Sequence, residues 1–283
     1  KLFLTGGVRL DDYRVALDQT TATGQTYLSR HDLMFNWNVG ATYKLQPWWS
    51  VYAAYGTSSN PVGADVDGGG NDYGGLTLQN ISAGPERNTS MEVGTKMELF
   101  DRRALATVAL FQTTKENARE LVTNGGVQSI VGGGEYKVYG VDASIGGKLT
   151  ERWSVFGGFV WMGSEVTRST NAANVGRRLA NIAHTSFNLL SKYDVTDRFT
   201  IGGQATWKSD IYGGTLAANQ NVLPARWRFD AFAEYRITPA IILKAQVLNI
   251  TNEVIYDAFY RSGAPFVYLA PGRSALLSLN FKY

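Results

Sequence analysis

Between Arg226 and Thr238 the chain reads RWRFDAFAEYRIT. Trp227, Phe229, Ala231, Ala233, Tyr235 and Ile237 fall on one side of a two-residue period, and Arg228, Asp230, Phe232, Glu234 and Arg236 on the other. That period belongs to a β-strand, whose successive side chains point to opposite faces. After Thr238, Pro239 and Ala240 the pattern resumes: Ile241, Leu243, Ala245 and Val247 alternate with Ile242, Lys244, Gln246 and Leu248, which predicts a hairpin with one apolar and one wet face. Met91, Val93, Thr95 and Met97 alternate in the same way with Ser90, Glu92, Gly94, Lys96 and Glu98, and Leu2, Leu4, Val8 and Leu10 with Phe3, Thr5, Arg9 and Asp11. In LATVALFQTT, residues 105–114, both sides are apolar and the letters do not choose a face.

Twelve such segments are predicted, near 2–12, 37–45, 48–59, 87–98, 103–116, 135–149, 152–163, 184–194, 198–209, 226–237, 240–250 and 273–283. Their connections come in two kinds that take turns. LQPW (45–48), FDRR (100–103), LTER (149–152), VTDR (195–198) and ITPA (237–240) are the size of tight turns, whereas 13–36, 60–86, 117–134, 164–183, 210–225 and 251–272 are long and rich in Gly, Asn, Ser and Thr. Short turns then lie at one rim of an up-and-down antiparallel sheet and long loops at the other. Six consecutive long loops are unusual in a soluble domain. Outer-membrane barrels have short turns on one side, long loops on the other and aromatic girdles at both interfaces. Trp37, Trp48, Trp49 and Trp153, beside turns or at strand ends, suit such girdles. The fold expected is all-β, a transmembrane antiparallel up-and-down barrel, with Phe229, Ala231, Leu243 and Val247 facing lipid and Arg228, Asp230, Glu234, Arg236, Lys244 and Gln246 facing a wide lumen.

Composition narrows the picture without changing it. The 283 residues are 44% hydrophobic and 18% charged, with 31 Gly and a formal charge of +3. No apolar run reaches the length of a membrane helix, and no basic block points to nucleic acid. Cysteine is absent, which removes disulfides, thiolate ligands and a Cys nucleophile. The first residues already alternate and no signal peptide or initiator Met stands before them, so the chain is expected to be cut from something longer.

The candidate chemistry is sparse. His31 and His184 are the only histidines, too few for an imidazole metal cluster, and a Ser-His-carboxylate hydrolase would need a serine and an acid beside one of them. GADVDGGGNDYGG (63–75) gathers Asp65, Asp67, Asn71 and Asp72 but lacks the EF-hand order, so it reads as a solvated loop. The GGG runs at 68–70 and 132–134 have no following helix, so no nucleotide loop is expected.

Several stretches carry a family resemblance: PWWSVYAAYGTSSNP (47–61), ERNTSMEVGTKMELFDRRALATVALFQTTKEN (86–117), GVDASIGGKLTERWSVFGGFVW (140–161), PARWRFDAFAEYRIT (224–238), LKAQVLNITNEVIYD (243–257) and PGRSALLSLNFKY (271–283), ending on the aromatic Tyr283. In order and spacing the chain resembles the TonB-dependent outer-membrane receptors, and within them the catecholate-type ferric siderophore receptors. The resemblance implies that 1–283 is the C-terminal portion of a 22-stranded barrel, with the N-terminal plug and early strands absent from this sequence. It implies location in the outer membrane of a Gram-negative bacterium, a monomer in contact with lipid and lipopolysaccharide, a ferric siderophore as ligand, and energy from the TonB complex through the missing N-terminal region. It implies neither catalysis nor a cofactor. An anionic aromatic chelate calls for Arg beside aromatic rings; YDAFYRSGAPFVYLAPGR supplies Tyr256, Phe259, Tyr260, Arg261, Phe266, Tyr268 and Arg273, and NVGRRLAN supplies Arg177 and Arg178. A receptor of this architecture for haem, cobalamin or a glycan, a passive pore of about twelve strands, and a soluble all-β binding module are the alternatives.

Overall fold

The computed structural model describes residues 1–21, 24–64, 76–78, 80–124, 126–213, 221–259 and 266–281. Its main body is one antiparallel sheet of twelve strands: β1 (Leu2–Thr21), β2 (Gly24–Gln46), β3 (Trp49–Asn60), β4 (Glu86–Leu99), β5 (Ala104–Asn124), β6 (Val127–Lys148), β7 (Trp153–Arg168), β8 (Thr185–Asp194), β9 (Phe199–Lys208), β12 (Arg226–Thr238), β13 (Ile241–Leu248) and β16 (Ser274–Phe281). Each strand pairs with its neighbour in chain order. Two small hairpins stand in the loops, β10 (Ile211–Tyr212) with β11 (Val222–Leu223), and β14 (Tyr256–Phe259) with β15 (Val267–Leu269). Among the described residues β1 and β16 each have one strand partner, so the twelve strands form an open wall.

The register settles which residues share a face. Ala231 lies opposite Val247 and Tyr235 opposite Leu243, while Glu234 lies opposite Lys244 and Phe232 opposite Gln246. The apolar and polar faces of this hairpin are therefore those the alternation predicts. In the ambiguous segment of β5, Leu110 lies opposite Val93 and Val141 on the apolar face, and Phe111 opposite Glu92 on the polar one.

All seven tryptophans fall into two bands on the wall. Trp48, Trp49 and Trp153 stand at the short turns, with Trp48 and Trp49 stacked at 5.9 Å; the indole N–H groups of Trp49 and Trp153 donate to Thr95 Oγ1 at 2.7 Å and Ser191 Oγ at 2.9 Å. Trp37, Trp161, Trp207 and Trp227 lie nearer the long loops, where Trp37 stacks on Tyr55 at 4.9 Å and Trp227 on Phe229 at 5.5 Å. Trp37 thus belongs to the band within the wall near the loops. Trp153 and Trp161, Phe199 and Trp207, and Trp227 and Tyr235 are each eight residues apart on one strand. Eight residues of strand rise roughly 27 Å, and a tilt of about 40° brings the vertical span to roughly 20 Å, near the height of an outer-membrane barrel's apolar band. Leu4, Val8, Val93, Leu110, Phe229 and Leu277 are exposed between or beside the bands. Such a surface is stable facing lipid and would aggregate in water.

Two of the predicted long loops are mostly strand. Residues 13–21 and 24–36 extend β1 and β2, with Arg14 opposite His31 and Leu17 opposite Leu28, and 117–124 and 127–134 extend β5 and β6. These extensions stand above the aromatic band, where no lipid imposes an apolar outer face: along β1 the apolar side changes from Leu4, Val8 and Leu10 to Tyr13, Val15 and Leu17, on the opposite parity.

Candidate functional site

Above the band, the connections at the loop rim are tied to one another in chain order. Leu28, Val62, Leu76 and Ala83 form a small core with Val15, Leu17 and Ile81, which folds the segment after β3 onto the β1–β2 extension. Tyr13 Oη donates to the Gly63 carbonyl at 2.8 Å, and the mostly buried Arg30 and Asp32 pair at 2.6 Å. Glu86 opens β4 as a buried carboxylate. It accepts from Asn60 Nδ2 at 3.0 Å, from Lys115 Nζ at 3.1 Å and from the backbone N–H of Arg119 at 3.1 Å, joining the ends of β3 and β4 to the bulge of β5. Burial pushes this carboxyl up, and the Arg119 N–H, the Asn60 amide and the Lys115 ammonium together outweigh burial and hold it below the usual carboxylate range.

Glu120 makes the next link. Its carboxylate accepts from the Thr170 N–H at 2.7 Å and the Thr170 hydroxyl at 2.6 Å, while Tyr136 Oη donates to it at 3.2 Å. Burial again raises this carboxyl, and the Thr170, Ser169 and Tyr136 donors together outweigh burial and hold it below the usual carboxylate range. The β7–β8 connection then reaches the β9–β12 connection. The Arg178 guanidinium lies 5.6 Å over the Tyr212 ring, and the Asn181 N–H donates to the Tyr212 carbonyl at 2.9 Å. A second small core of Ile211, Leu223 and Phe259, flanked by Ala183 and Val267, fastens both to the β13–β16 connection.

That last connection is clamped at its base. Asn249 is buried, with φ of 51°. Its Nδ2 donates to the carbonyls of Glu253 at 2.9 Å and Pro271 at 3.3 Å, its Oδ1 accepts the Glu253 N–H at 3.1 Å, and its own N–H donates to Asp230 Oδ1 at 2.7 Å. Asn252 Oδ1 accepts the Arg273 N–H at 3.0 Å. The departing and returning ends of the loop are thereby held on the top of β12.

The residues proposed from the sequence separate into three groups. Tyr256, Phe266, Tyr268 and Arg273 are exposed on or beside β14 and β15, and Arg177 and Arg178 are exposed on the β7–β8 connection. Phe259 is buried in the second small core, where its ring packs the loops together. Tyr260 and Arg261 lie outside the described residues, as do Tyr283 and the acidic stretch Asp65, Asp67, Asn71 and Asp72. His31 lies in β2, not in a loop, and its Nε2 stands 2.9 Å from Asp12, whose carboxylate also binds Arg14. His184 stands edge-on to Trp161 at 5.1 Å, with Nδ1 3.2 Å from Thr185 Oγ1. Among the described residues no cluster of His, Cys, Asp or Glu could hold a metal.

The sequence reading missed three residues. Lys208 and Arg226 face each other at the loop ends of β9 and β12, and Asp257 on β14 reaches both. Arg226 lies on the same period as Arg228, two residues earlier, so its face was readable; its partner on a distant loop was not. Lower on the polar face Glu234 bridges Lys192 at 3.2 Å and Lys244 at 3.5 Å, and a cleft of about 470 Å³ at the turn rim is lined by Lys192, Asp194, Arg198, Glu234 and Arg236. The surface that results is polar, charged and rich in donors below, with arginines and exposed aromatic rings above. Such a wall offers charge and hydrogen bonds to a large polar ligand at many points.

The family model described as "TonB dependent receptor-like, beta-barrel" matches residues 1–250. The chain is 32% identical over 290 residues to the "Probable TonB-dependent receptor BfrD" of Bordetella pertussis, covering 98% of this chain and 38% of that protein. It is 26% identical over 303 residues to the "Catecholate siderophore receptor Fiu" of Escherichia coli K12, covering 99% and 39%. The crystal structure of the siderophore receptor PiuA from Acinetobacter baumannii superposes with a TM-score of 0.90 at 26% identity, over 100% of this chain and 41% of that one. The chain thus spans about two fifths of the length of these relatives.

Proposed function

Because this chain belongs to the TonB-dependent receptor family, an outer-membrane β-barrel family of receptors and not of enzymes, we propose that it forms the wall and outer loops through which a ferric siderophore of the catecholate type is bound and taken up with energy delivered by TonB. In this reading 1–283 is the C-terminal share of the barrel, working as a monomer in a lipopolysaccharide-containing leaflet. The observation that carries it is the loop layer itself: exposed arginines (Arg177, Arg178, Arg273) and exposed rings (Tyr256, Phe266, Tyr268) on loops tied together over a polar wall, with Arg178 lying over the Tyr212 ring. A guanidinium suits such a ligand because it both neutralises the anionic chelate and stacks on aromatic planes. The names of Fiu and PiuA, siderophore receptors by description, support the same ligand class.

Radioiron uptake in a host lacking its own receptors, supplied with several siderophores, haem and cobalamin, with and without TonB, tests the reading. Uptake of a ferric catecholate that requires TonB is the expected result. Delivery undiminished without TonB would make the protein a pore, and uptake confined to haem or cobalamin would replace the substrate. Changing Arg261 and Arg273 together to Ala should weaken catecholate binding and leave the wall folded, since Arg273 stands before β16 and outside the twelve-stranded ladder.

A further inference from the structure

We propose that Lys208 and Arg226 form an anion subsite on the polar wall beneath the loops, and that the Asp257 carboxylate occupies it as a stand-in which an acidic group of the ligand displaces. Lys208 and Arg226 lie directly opposite each other across the β9–β12 ladder. Like charges in that position destabilise a sheet. A single carboxylate answers both: Asp257 Oδ1 is 3.9 Å from Lys208 Nζ and 3.4 Å from Arg226 Nη2. Among the described residues two positive charges therefore share one negative charge. The neighbouring ion pair adds nothing to the balance, because Asp230 is already held by Arg228 at 2.9 Å and by the Asn249 N–H. On the far side of Lys208 the ladder partner is the uncharged Ser186.

Exposure and hydrogen bonding show how the site opens. The Arg226 side chain is only 8% exposed, whereas Lys208 and Asp257 are about half exposed, so the subsite is reached by way of the carboxylate. Arg226 Nη2 donates to the Asp257 backbone carbonyl at 2.6 Å, while Nη1 is buried with no hydrogen-bond partner among the described residues. A buried donor left unpaired is costly. Here it sits on a guanidinium whose carboxylate partner is a half-exposed side chain on a two-stranded loop hairpin. A ligand oxygen entering in place of Asp257 would gain Lys208 and Arg226 together, and the backbone carbonyl of Asp257 would still brace the guanidinium. The subsite would therefore select for negative charge on the ligand, and it rests on the transport reading for what that ligand is.

The two roles open to Asp257, stand-in anion and simple strut, predict opposite signs. In outer membranes of cells producing the receptor, equilibrium binding is measured with two radioiron probes, the ferric tris-complex of 2,3-dihydroxybenzoate, which is anionic, and a ferric trihydroxamate, uncharged at the metal centre. Asp257→Asn should tighten the anionic probe roughly two- to fivefold, and Lys208→Gln should weaken it by a similar factor, the size expected of a half-exposed ion pair. The uncharged probe should follow neither change, and added salt should compress both effects. Weakening of both probes by Asp257→Asn would make the carboxylate a strut and overturn the proposal, as would indifference of the anionic probe to Lys208→Gln. If the unaltered receptor binds neither probe, the siderophore reading fails, and the subsite is decided separately by bromide-soaked crystals of the Asp257→Asn protein: an anomalous peak between Lys208 and Arg226 supports it, and none rejects it.

Discussion

The ring of Phe232 lies over Gly202, its partner directly across the β9–β12 ladder, in the space that a Cβ on the glycine would fill. The same arrangement recurs where Tyr52 covers Gly94 and Tyr139 covers Gly163, each again a directly opposed pair. A ring laid on a glycine seals a gap in the sheet surface and fixes the strand register at that point. At Gly202 the Cβ would also stand 2.7 Å from the Ser191 carbonyl oxygen. The ring can swing away but the carbonyl is part of the ladder, so Gly202→Ala should lower stability by roughly 1–3 kcal/mol, as overpacking does. Urea titration of the protein refolded into lipid vesicles checks it; an unchanged midpoint would mean that the backbone yields.

The aromatic bands place Ala231 at the middle of the apolar height, four residues from Trp227 and four from Tyr235. Ala231→Arg puts a charge near the bilayer midplane and should cost roughly 2–4 kcal/mol. Gln204→Arg is the control. Gln204 is exposed on the polar face opposite Asp230, and an arginine there should change stability by no more than about 0.5 kcal/mol. Equal penalties at the two positions in the same vesicle titration would contradict the assignment of faces.

What the sequence showed and what it hid follow from the same physics. Wherever lipid and lumen impose different faces, as from Trp227 to Ile237, alternation reveals the strand and its orientation. In 13–36 the wall continues with polar residues such as Arg14 and Asp18 on one side and Tyr13, Val15 and Leu17 on the other, but the surrounding Gly, Thr and Ser read as a loop. Loop aromatics are the hardest to read. Phe259 and Phe266 look alike in the letters, yet one is buried against Ile211 and Leu223 and the other is exposed. The Arg178 to Tyr212 contact joins two loops separated by a whole hairpin, and Asp257 meets Lys208 and Arg226 because the β13–β16 connection folds over the loop ends of β9 and β12. Such contacts depend on the tertiary arrangement, which a local pattern does not encode.

Asn249 combines two demands that few residues meet together. Its positive φ of 51° is tolerated by Asn and Gly, and its side chain satisfies the Glu253 and Pro271 carbonyls and the Glu253 N–H. Asn249→Ala strains the backbone and removes the three side-chain hydrogen bonds that close the loop base, a loss of roughly 2–4 kcal/mol. Asn249→Gly relieves the strain and should recover roughly 1 kcal/mol of it. In both variants limited proteolysis should cut within 251–272 sooner than in the unaltered protein, because the clamp on both loop ends is gone. Loss of stability without earlier cleavage there would show that the network braces β12 and β13 instead of the loop.

Glu86 should make the junction of β3, β4 and β5 sensitive to acid. It lies above the aromatic bands, outside the membrane-spanning part of the wall, with Asn60, Lys115 and Arg119 as donors and its carboxyl held below the ordinary range. A carboxyl depressed in the folded protein contributes stability that is fully present above its unfolded pKa, near the reference value of 4.5, and that is lost as pH falls through the lower folded value. The protonated acid no longer attracts Lys115 and gives up acceptor capacity, leaving the Arg119 N–H and the Asn60 amide short of a partner in a buried place. Arg119 also holds the Asn60 carbonyl at 2.8 Å, so the junction of β3, β4 and β5 should loosen as one unit. Hydrogen exchange in 57–64 and 83–90 should accelerate as pH falls below about 4.5, after correction for the intrinsic rate, while the Trp153 to Trp161 stretch of wall stays protected. Glu86→Gln keeps an acceptor oxygen and removes the titration; its exchange should be faster at neutral pH and should no longer change across that range. Exchange that accelerates equally in the Gln variant would assign the acid response to another group, of which Glu120 is the nearest with a comparable set of donors.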